Sequence, residues 1–318
     1  MGGSRPATVG PQRSPVSLDA WLPVLPRLFS SSHLQLLAWA RSSDLFPYAQ
    51  ALVNLKRSLP PEATIADLLD ESFHILRWHY PVEYVFKACL LKRLLFGRHS
   101  PRTTSCYFEL PVGEARADMV LVNGRADVYE VKSRFDSDAR LEAQLKEYYR
   151  VFTRVTIVTE HEEVARYLDR LPAHVGVATL TRRFSVSTKR AASCWYDGLD
   201  HFGLFQMLHQ AERHQLAEDL RLSVSRMQPI SRYRQVFTRF ALSCSPWKAH
   251  ERVVAALRTR QRTDDLARLC ETLPQSLHVA AFSYRLRKAD WTALLEVLAT
   301  TLAEHPKTGV PRVLPLPT

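Results

Sequence analysis

Apolar positions along the chain change their period several times. Between Leu18 and Arg57 they come in short helical patterns, among them HLQLLAWA from His33, broken by Pro23, Pro26 and Pro47. The segment IADLLDESFHIL from Ile65 repeats the three- and four-residue spacing of a helix with one buried face. A stronger helix follows, VEYVFKACLLKRLLF. Pro81 stands at its start and Gly97 just past its end, the expected asymmetry of helix termini. Tyr84, Ala88, Leu91 and Leu95 give it an apolar face, and Glu83 lies in its first turn.

Beyond Gly97 the period drops towards two, and strands are expected at Ser105–Val112, Arg116–Val122 and Ala126–Ser133. Asp138–Phe152 returns to a helical period, with Leu141, Leu145, Tyr149 and Phe152 facing inward. A strand at Val155–Thr159, a helix at Glu162–Leu171 and a strand at Val175–Leu180 complete an α/β pattern with a mixed sheet. After Leu180 strand signals stop and helices follow, the last at Asp290–Ala303. The chain thus divides into a Gly, Ser, Pro and Arg-rich tail expected to be disordered (1–17), a helical N-terminal cap (18–79) and an α/β core (80–180). A basic helical C-terminal region (181–305) and a loose Pro-rich tail (306–318) follow.

Charge adds a partner to this picture. The 318 residues carry a formal net charge of +11, and residues 181–260 hold 14 Lys and Arg against 6 Asp and Glu. Such a balance favours a polyanion such as nucleic acid. Five scattered cysteines without a C-x-x-C pair argue against a disulfide framework or a zinc site and suit a reducing cytoplasm. We see no signal peptide, and no apolar run approaches the roughly 20 residues of a membrane helix. A cytoplasmic protein without a membrane partner is expected. Phosphate-binding loops, dinucleotide fingerprints, serine-hydrolase elbows and H-E-x-x-H spacing are all missing from the sequence. His161, Glu162 and Glu163 read as a helix start, where acids meet the helix dipole favourably.

The chemistry concentrates between Glu114 and Tyr149. Glu130 and Lys132 are two apart on a strand and share a face. Alone they would be an ion pair on a solvated strand. The preceding strand carries a further acid, Asp118, and register decides whether the two acids meet. A two-residue Asn123-Gly124 turn would set Asp118 opposite Tyr129, facing away from Glu130. A three-residue loop, Val122-Asn123-Gly124, would set it opposite Val128, on Glu130's face, with Gly124 left-handed. The odd loop, or a bulge elsewhere in the hairpin, is predicted. Converging carboxylates form a hard oxygen site suited to Mg²⁺ or Mn²⁺. Arg140, Gln144 and Tyr148 recur at i, i+4 and i+8 on the next helix and can reach the same place. Trp195-Tyr196 and His201-Phe202 lie near Arg182-Arg183 and Lys189-Arg190 and could stack bases, although such aromatics more often pack in a core.

These motifs, Arg116-Ala-Asp118, Glu130-Val-Lys132-Ser133, Arg140-Leu141, Gln144 and Tyr148, resemble the PD-(D/E)XK nuclease superfamily. The Q-x-x-x-Y element is the one familiar from its RecB-like branch. The set is closer still to a small bacterial family of uncharacterised proteins sharing these motifs. The resemblance covers roughly residues 80 to 180 and implies a restriction-endonuclease-like α-β-β-β-α-β core flanked by helical N- and C-terminal regions. It implies Mg²⁺ or Mn²⁺ held by Asp118 and Glu130, a further acid from Glu83 or Glu109, Lys132 as the catalytic lysine, and Gln144 and Tyr148 supporting the site. Ala117 stands where the family pattern has proline. On this reading the protein is a nuclease acting on DNA, with Arg116, Arg140, Arg182, Arg183, Lys189 and Arg190 on the nucleic acid. A homodimer would suit cutting of both strands, though nothing demands one. The alternative is a nucleic-acid-binding or defence or mobile-element accessory protein without catalysis.

Overall fold

The computed structural model describes residues 21–304, apart from 41–44, 55, 56, 58, 134, 135, 182–184, 224–226, 262 and 285. The chain forms two compact units. The first joins residues up to Tyr80 with those from Ala289 onward, and the second runs from Pro81 to Lys288.

The first unit is helical. A 3₁₀ segment at Leu22–Phe29 leads into α1 (Ser31–Ala40), α2 (Phe46–Asn54) and α3 (Ile65–His79). Thr64 caps α3 by a capping box with Asp67, satisfying two of the amide groups that a helix start leaves free. Thr64 also forms an isolated bridge with Thr301, and Ile65 donates to the Thr300 carbonyl. Among the described residues, those from Ala289 therefore belong with those before Pro81. Residues 181–288 build the same unit as the α/β core.

The second unit starts with α4 (Glu83–Leu90), which continues through a single π-helical stretch, Leu91–Phe96. Next come β1 (Ser105–Val112), β2 (Ala115–Val122) and β3 (Ala126–Lys132), followed by α5 (Leu141–Tyr149) and β4 (Arg154–Thr159). Then α6 (Val164–Arg170), β5 (Gly176–Leu180) and β6 (Val186–Arg190) close a six-stranded sheet in sequence order. The β1–β2–β3 pairs are antiparallel, β3–β4–β5 parallel and β5–β6 antiparallel. The mixed α/β core with helical flanks is therefore present, in the expected α-β-β-β-α-β order. Strand β6 was not expected. Its sequence, VSTKR, is polar and largely accessible, so it lacks the alternation by which a half-buried strand is recognised.

The hairpin between β2 and β3 pairs Val122 with Ala126, so the loop is Asn123-Gly124-Arg125. It has three residues, the odd length predicted, with Gly124 left-handed at φ 72°. Its position differs from the expectation: Val122 stays in the strand. The register continues from Met119↔Tyr129 to set Asp118 level with Glu130, instead of opposite Val128. A shift of two residues leaves every side chain on its face, so Asp118 still looks to Glu130's side.

Helices α7 (His201–Met207), α8 (Gln210–Asp219), α9 (Pro229–Ser243), α10 (Pro246–Arg260), α11 (Thr263–Thr272) and α12 (His278–Ser283) complete this unit. Val236, Phe240, Val253 and Leu257 join Val120, Val128, Phe152 and Ile157 in one apolar core. The Gln261 side chain accepts from the Cys106 amide and donates to the Cys106 carbonyl, both at 2.7 Å, and so covers part of the exposed edge of β1. Helix α13 (Lys288–Leu298) is the last helix among the described residues. Among the described residues no helix is long and apolar enough to cross a membrane.

Candidate active site

The site lies where β3 ends and α5 crosses above it. Val128, Glu130 and Lys132 share one face of β3, while Tyr129 and Val131 project to the other. Both charged groups are nonetheless buried, at 2% and 7% exposure. The Lys132 ammonium is 3.0 Å from Glu130 Oε1 and donates to Gln144 Oε1 at 2.9 Å. Gln144 Nε2 donates to the same Glu130 oxygen at 2.8 Å. Lysine, glutamate and glutamine thus close a triangle, and only one orientation of the amide satisfies both neighbours.

Tyr148, one turn further along α5, is fully buried. Its hydroxyl lies 2.8 Å from Glu130 Oε2 and 2.7 Å from the Arg116 carbonyl. Burial first, then the Glu130 carboxylate, raises the phenol well above its ordinary range, so it stays a donor. The sequence reading made Gln144 and Tyr148 a polar stripe opposite the apolar face of α5. In the structure that stripe turns down onto the sheet, and only Arg140 remains exposed. The start of α5 is fixed by Asp138, which is buried and accepts from Tyr167 at 2.7 Å, from Arg170 at 2.9 Å and from Arg166.

Asp118 stands beside this triangle. Its Oδ2 accepts from the Val131 amide at 2.7 Å, so a side chain takes the backbone's place where the β2–β3 ladder stops. Burial, then the nearby Glu130 charge, raises its carboxyl to about 8, against the opposing pull of Lys87. Across β1 and β2 the pairs Phe108↔Met119 and Leu110↔Ala117 leave Glu109 level with Asp118. Glu109 is left-handed, at φ 53°, a conformation that costs a non-glycine residue about 1–2 kcal/mol. It brings a carboxylate to Asp118. Glu83 arrives from the first turn of α4, and ligand atoms of Glu83, Glu109 and Asp118 all lie within 4.8 Å of one another. Where the sequence left Glu83 and Glu109 as competitors for one place, both are there.

Three features differ from the expectation. Glu130 is not a member of the three-acid group, and protein donors hold both of its oxygens. The second feature is Lys87, which the sequence reading missed. Its buried ammonium pairs with Glu83 and Glu109 and lies 3.5 Å from Asp118 Oδ1. Burial would lower this lysine, but Asp118, Glu83 and Glu109 outweigh it and raise it further above its usual range. The spacing Glu83-x-x-x-Lys87 is that of a surface helix pair, and nothing in it signals burial. Third, Arg190 donates to the carbonyls of Val175, Leu168 and Leu171 at 2.9–3.2 Å, so it anchors β6 with three of its five N–H donors engaged. Arg116 is well exposed at the rim, its Nε 4.0 Å from Glu109, and Lys189 is exposed on β6. Arg182 and Arg183 lie outside the described residues. Of the suggested stacking aromatics, His201 and Phe202 pack against Phe240 and Phe237, and Trp195 stacks on His174.

The donor set is all oxygen, hard and anionic, and fits Mg²⁺ or Mn²⁺ once the Lys87 ammonium yields its place. Three buried charged side chains, Lys87, Glu130 and Lys132, beside the half-buried Asp118 do not favour folding over apolar packing. Such clusters of perturbed groups mark functional sites.

The chain matches the family model described as Bacteriophage P4 protein cII over residues 78–280, nearly the whole second unit. The chain belongs to this family. Protein cII of Enterobacteria phage P4 is 40% identical over 62 residues, 20% of this chain. The chain spans about a quarter of the length of that relative. Among solved structures, a protein of unknown function from Silicibacter pomeroyi, SPO1766, aligns over 44% of this chain and 74% of its own. Identity there is 17% and the TM-score 0.25.

Proposed function

We propose that the protein is a divalent-metal-dependent nuclease of the PD-(D/E)XK type that hydrolyses phosphodiester bonds of DNA in the cytoplasm. The observation that carries this is the meeting of Asp118, Glu130, Lys132, Gln144 and Tyr148 at one place, from two strands and a helix. Asp118, with Glu109 and Glu83, would hold Mg²⁺ or Mn²⁺, which when bound supplies charge neutralisation at phosphate and a more acidic water. Glu130 and Gln144 hold the Lys132 ammonium against the edge of the site, where it can meet an anionic phosphate oxygen. Tyr148 fixes the second oxygen of Glu130 and keeps that carboxylate from turning. Arg116, exposed with its Nε 4.0 Å from Glu109, and Arg140, exposed one turn before Gln144, would contact the nucleic-acid backbone and make binding salt-dependent and largely sequence-blind.

Lys87 favours a second reading. A protein whose acids are already partly neutralised by its own ammonium has less need of a metal to be stable, and a nucleic-acid-binding accessory of a mobile element would suffice. The phage origin of the family's named member accords with that setting. Plasmid cleavage by the purified chain in Mg²⁺ separates the two. The nuclease reading expects cutting that Asp118→Ala and Lys132→Ala abolish while DNA binding survives. Binding without cutting in either Mg²⁺ or Mn²⁺ favours the accessory.

A further inference from the structure

A second concave surface lies at the opposite ends of the parallel strands. Arg154 opens β4 beside Asp127, whereas Lys132 and Thr159 close β3 and β4 five residues further on, about 16 Å along the strands. There a cleft of about 730 Å³ is lined by residues including Arg125, Arg154, Arg258, Cys194, Tyr196 and Trp247. The sequence singled out Tyr196, but not this setting.

Its charge is unbalanced. Arg125 and Arg154 share a single carboxylate, Asp127, at 2.9 and 2.7 Å. No carboxylate lies within salt-bridge distance of the Arg258 guanidinium among the described residues. Glu251, the acid in the lining, is 2.8 Å from Lys248.

Its aromatics form a shelf. Trp247 and Tyr196 meet edge to face with centroids 4.9 Å apart, and 40% and 46% of the two residues remain exposed. Trp247 stacks at 27° on His250, whose Nδ1 is 2.8 Å from the Val151 carbonyl in the buried interior. The shelf is therefore held in place before anything binds. An exposed apolar patch rimmed by polar residues marks an interaction or ligand-binding site. Rings beside one guanidinium without a carboxylate and two that share one suit a ligand that is flat and apolar at one point and anionic at the next.

We propose that this cleft binds a segment of single-stranded nucleic acid, with a base stacked on the Trp247–Tyr196 shelf and flanking phosphates on Arg258, Arg154 and Arg125. The site is separate from the acids around Asp118 and stands whether or not those acids hydrolyse anything.

Cys194 gives a reporter within the cleft. Burial pushes its thiol up, but hydrogen bonds with Tyr196 and Arg154 outweigh this and draw it below its ordinary range. It is exposed, whereas Cys89, Cys106 and Cys270 are buried, so it should alkylate first.

The test uses the full chain in EDTA, a fluorescent oligothymidylate of about twelve nucleotides, and thymidine monophosphate as a separate arm. The expected result is that the oligonucleotide binds and slows iodoacetamide labelling of Cys194. Trp247→Ala should weaken binding about tenfold, within the range of one lost base stack, and Arg258→Glu should weaken it at least as much. Lys146→Met, at an exposed position of α5 outside the cleft, should leave it unchanged. Melting curves establish that the variants fold, and Arg258→Glu guards against a packing defect in Trp247→Ala. The proposal is overturned if both variants bind like the parent protein, if labelling of Cys194 is indifferent to bound oligonucleotide, or if the mononucleotide binds and the strand does not.

Discussion

Lys87 stands 3.5 Å from Asp118, inside the group of carboxylates that could hold a metal. Its ammonium and a divalent ion would compete for the same oxygens. Removing it as Lys87→Met should raise Mn²⁺ affinity by about tenfold or more, some 1.4 kcal/mol. The same change should lower the melting temperature of the metal-free protein, because Asp118 would then sit beside Glu109 and Glu83 without a counter-ion. Titration calorimetry reads the first effect. An affinity that falls instead would mean that Lys87 helps to build the site.

Asp118 makes stability depend on pH in an unusual direction. Its carboxyl is raised to about 8, by burial first and then by Glu130. Between the ordinary carboxylate range and about 8 the folded state therefore holds a proton that the unfolded chain has lost. Stability from this group is highest at low pH and declines as pH rises through that window. Asp118→Asn removes the decline. It should be more stable than the parent at pH 8 by about 1 kcal/mol or more, and the gap should close near pH 4. Urea midpoints at the two pH values check this, and equal midpoints at pH 8 would contradict it.

Tyr148 has one hydroxyl hydrogen and two acceptors in reach, Glu130 and the Arg116 carbonyl. Tyr148→Phe should cost about 1–3 kcal/mol of stability, since a buried acceptor loses its donor. It should also reduce cleavage while DNA affinity stays the same, because Glu130 and, through it, Lys132 lose their fixed orientation. Unchanged cleavage would show that Gln144 alone suffices to orient the pair.

Much of this site was legible in the sequence because strand and helix periods carry face information over short distances. Glu130 and Lys132 share a face by spacing alone, and Gln144 and Tyr148 share one along α5. The odd hairpin loop followed from requiring Asp118 on that same face. Its exact placement did not, because a two-residue shift keeps all faces and changes only which residues stand level. Lys87 was invisible for a different reason. An i,i+4 acid and lysine look alike whether solvated or sealed, and the difference comes from β1 and β2, which bring Glu109 and Asp118 across to it. The left-handed Glu109 is equally silent in sequence. The joining of Thr64 to Thr301 depends on contacts more than two hundred residues apart, which local pattern cannot carry. Polar β6 has its register set by β5, with little help from its own side chains.

The central claim is that the acids around Asp118 form a divalent-metal site beside Lys132. Anomalous diffraction from a crystal soaked in Mn²⁺ tests it most directly. The account predicts a peak about 2.1 Å from Asp118 and at least one of Glu109 and Glu83, with the Lys87 ammonium moved out from among them. A crystal in which Lys87 still occupies the three carboxylates, with no manganese peak beside Asp118, would contradict it.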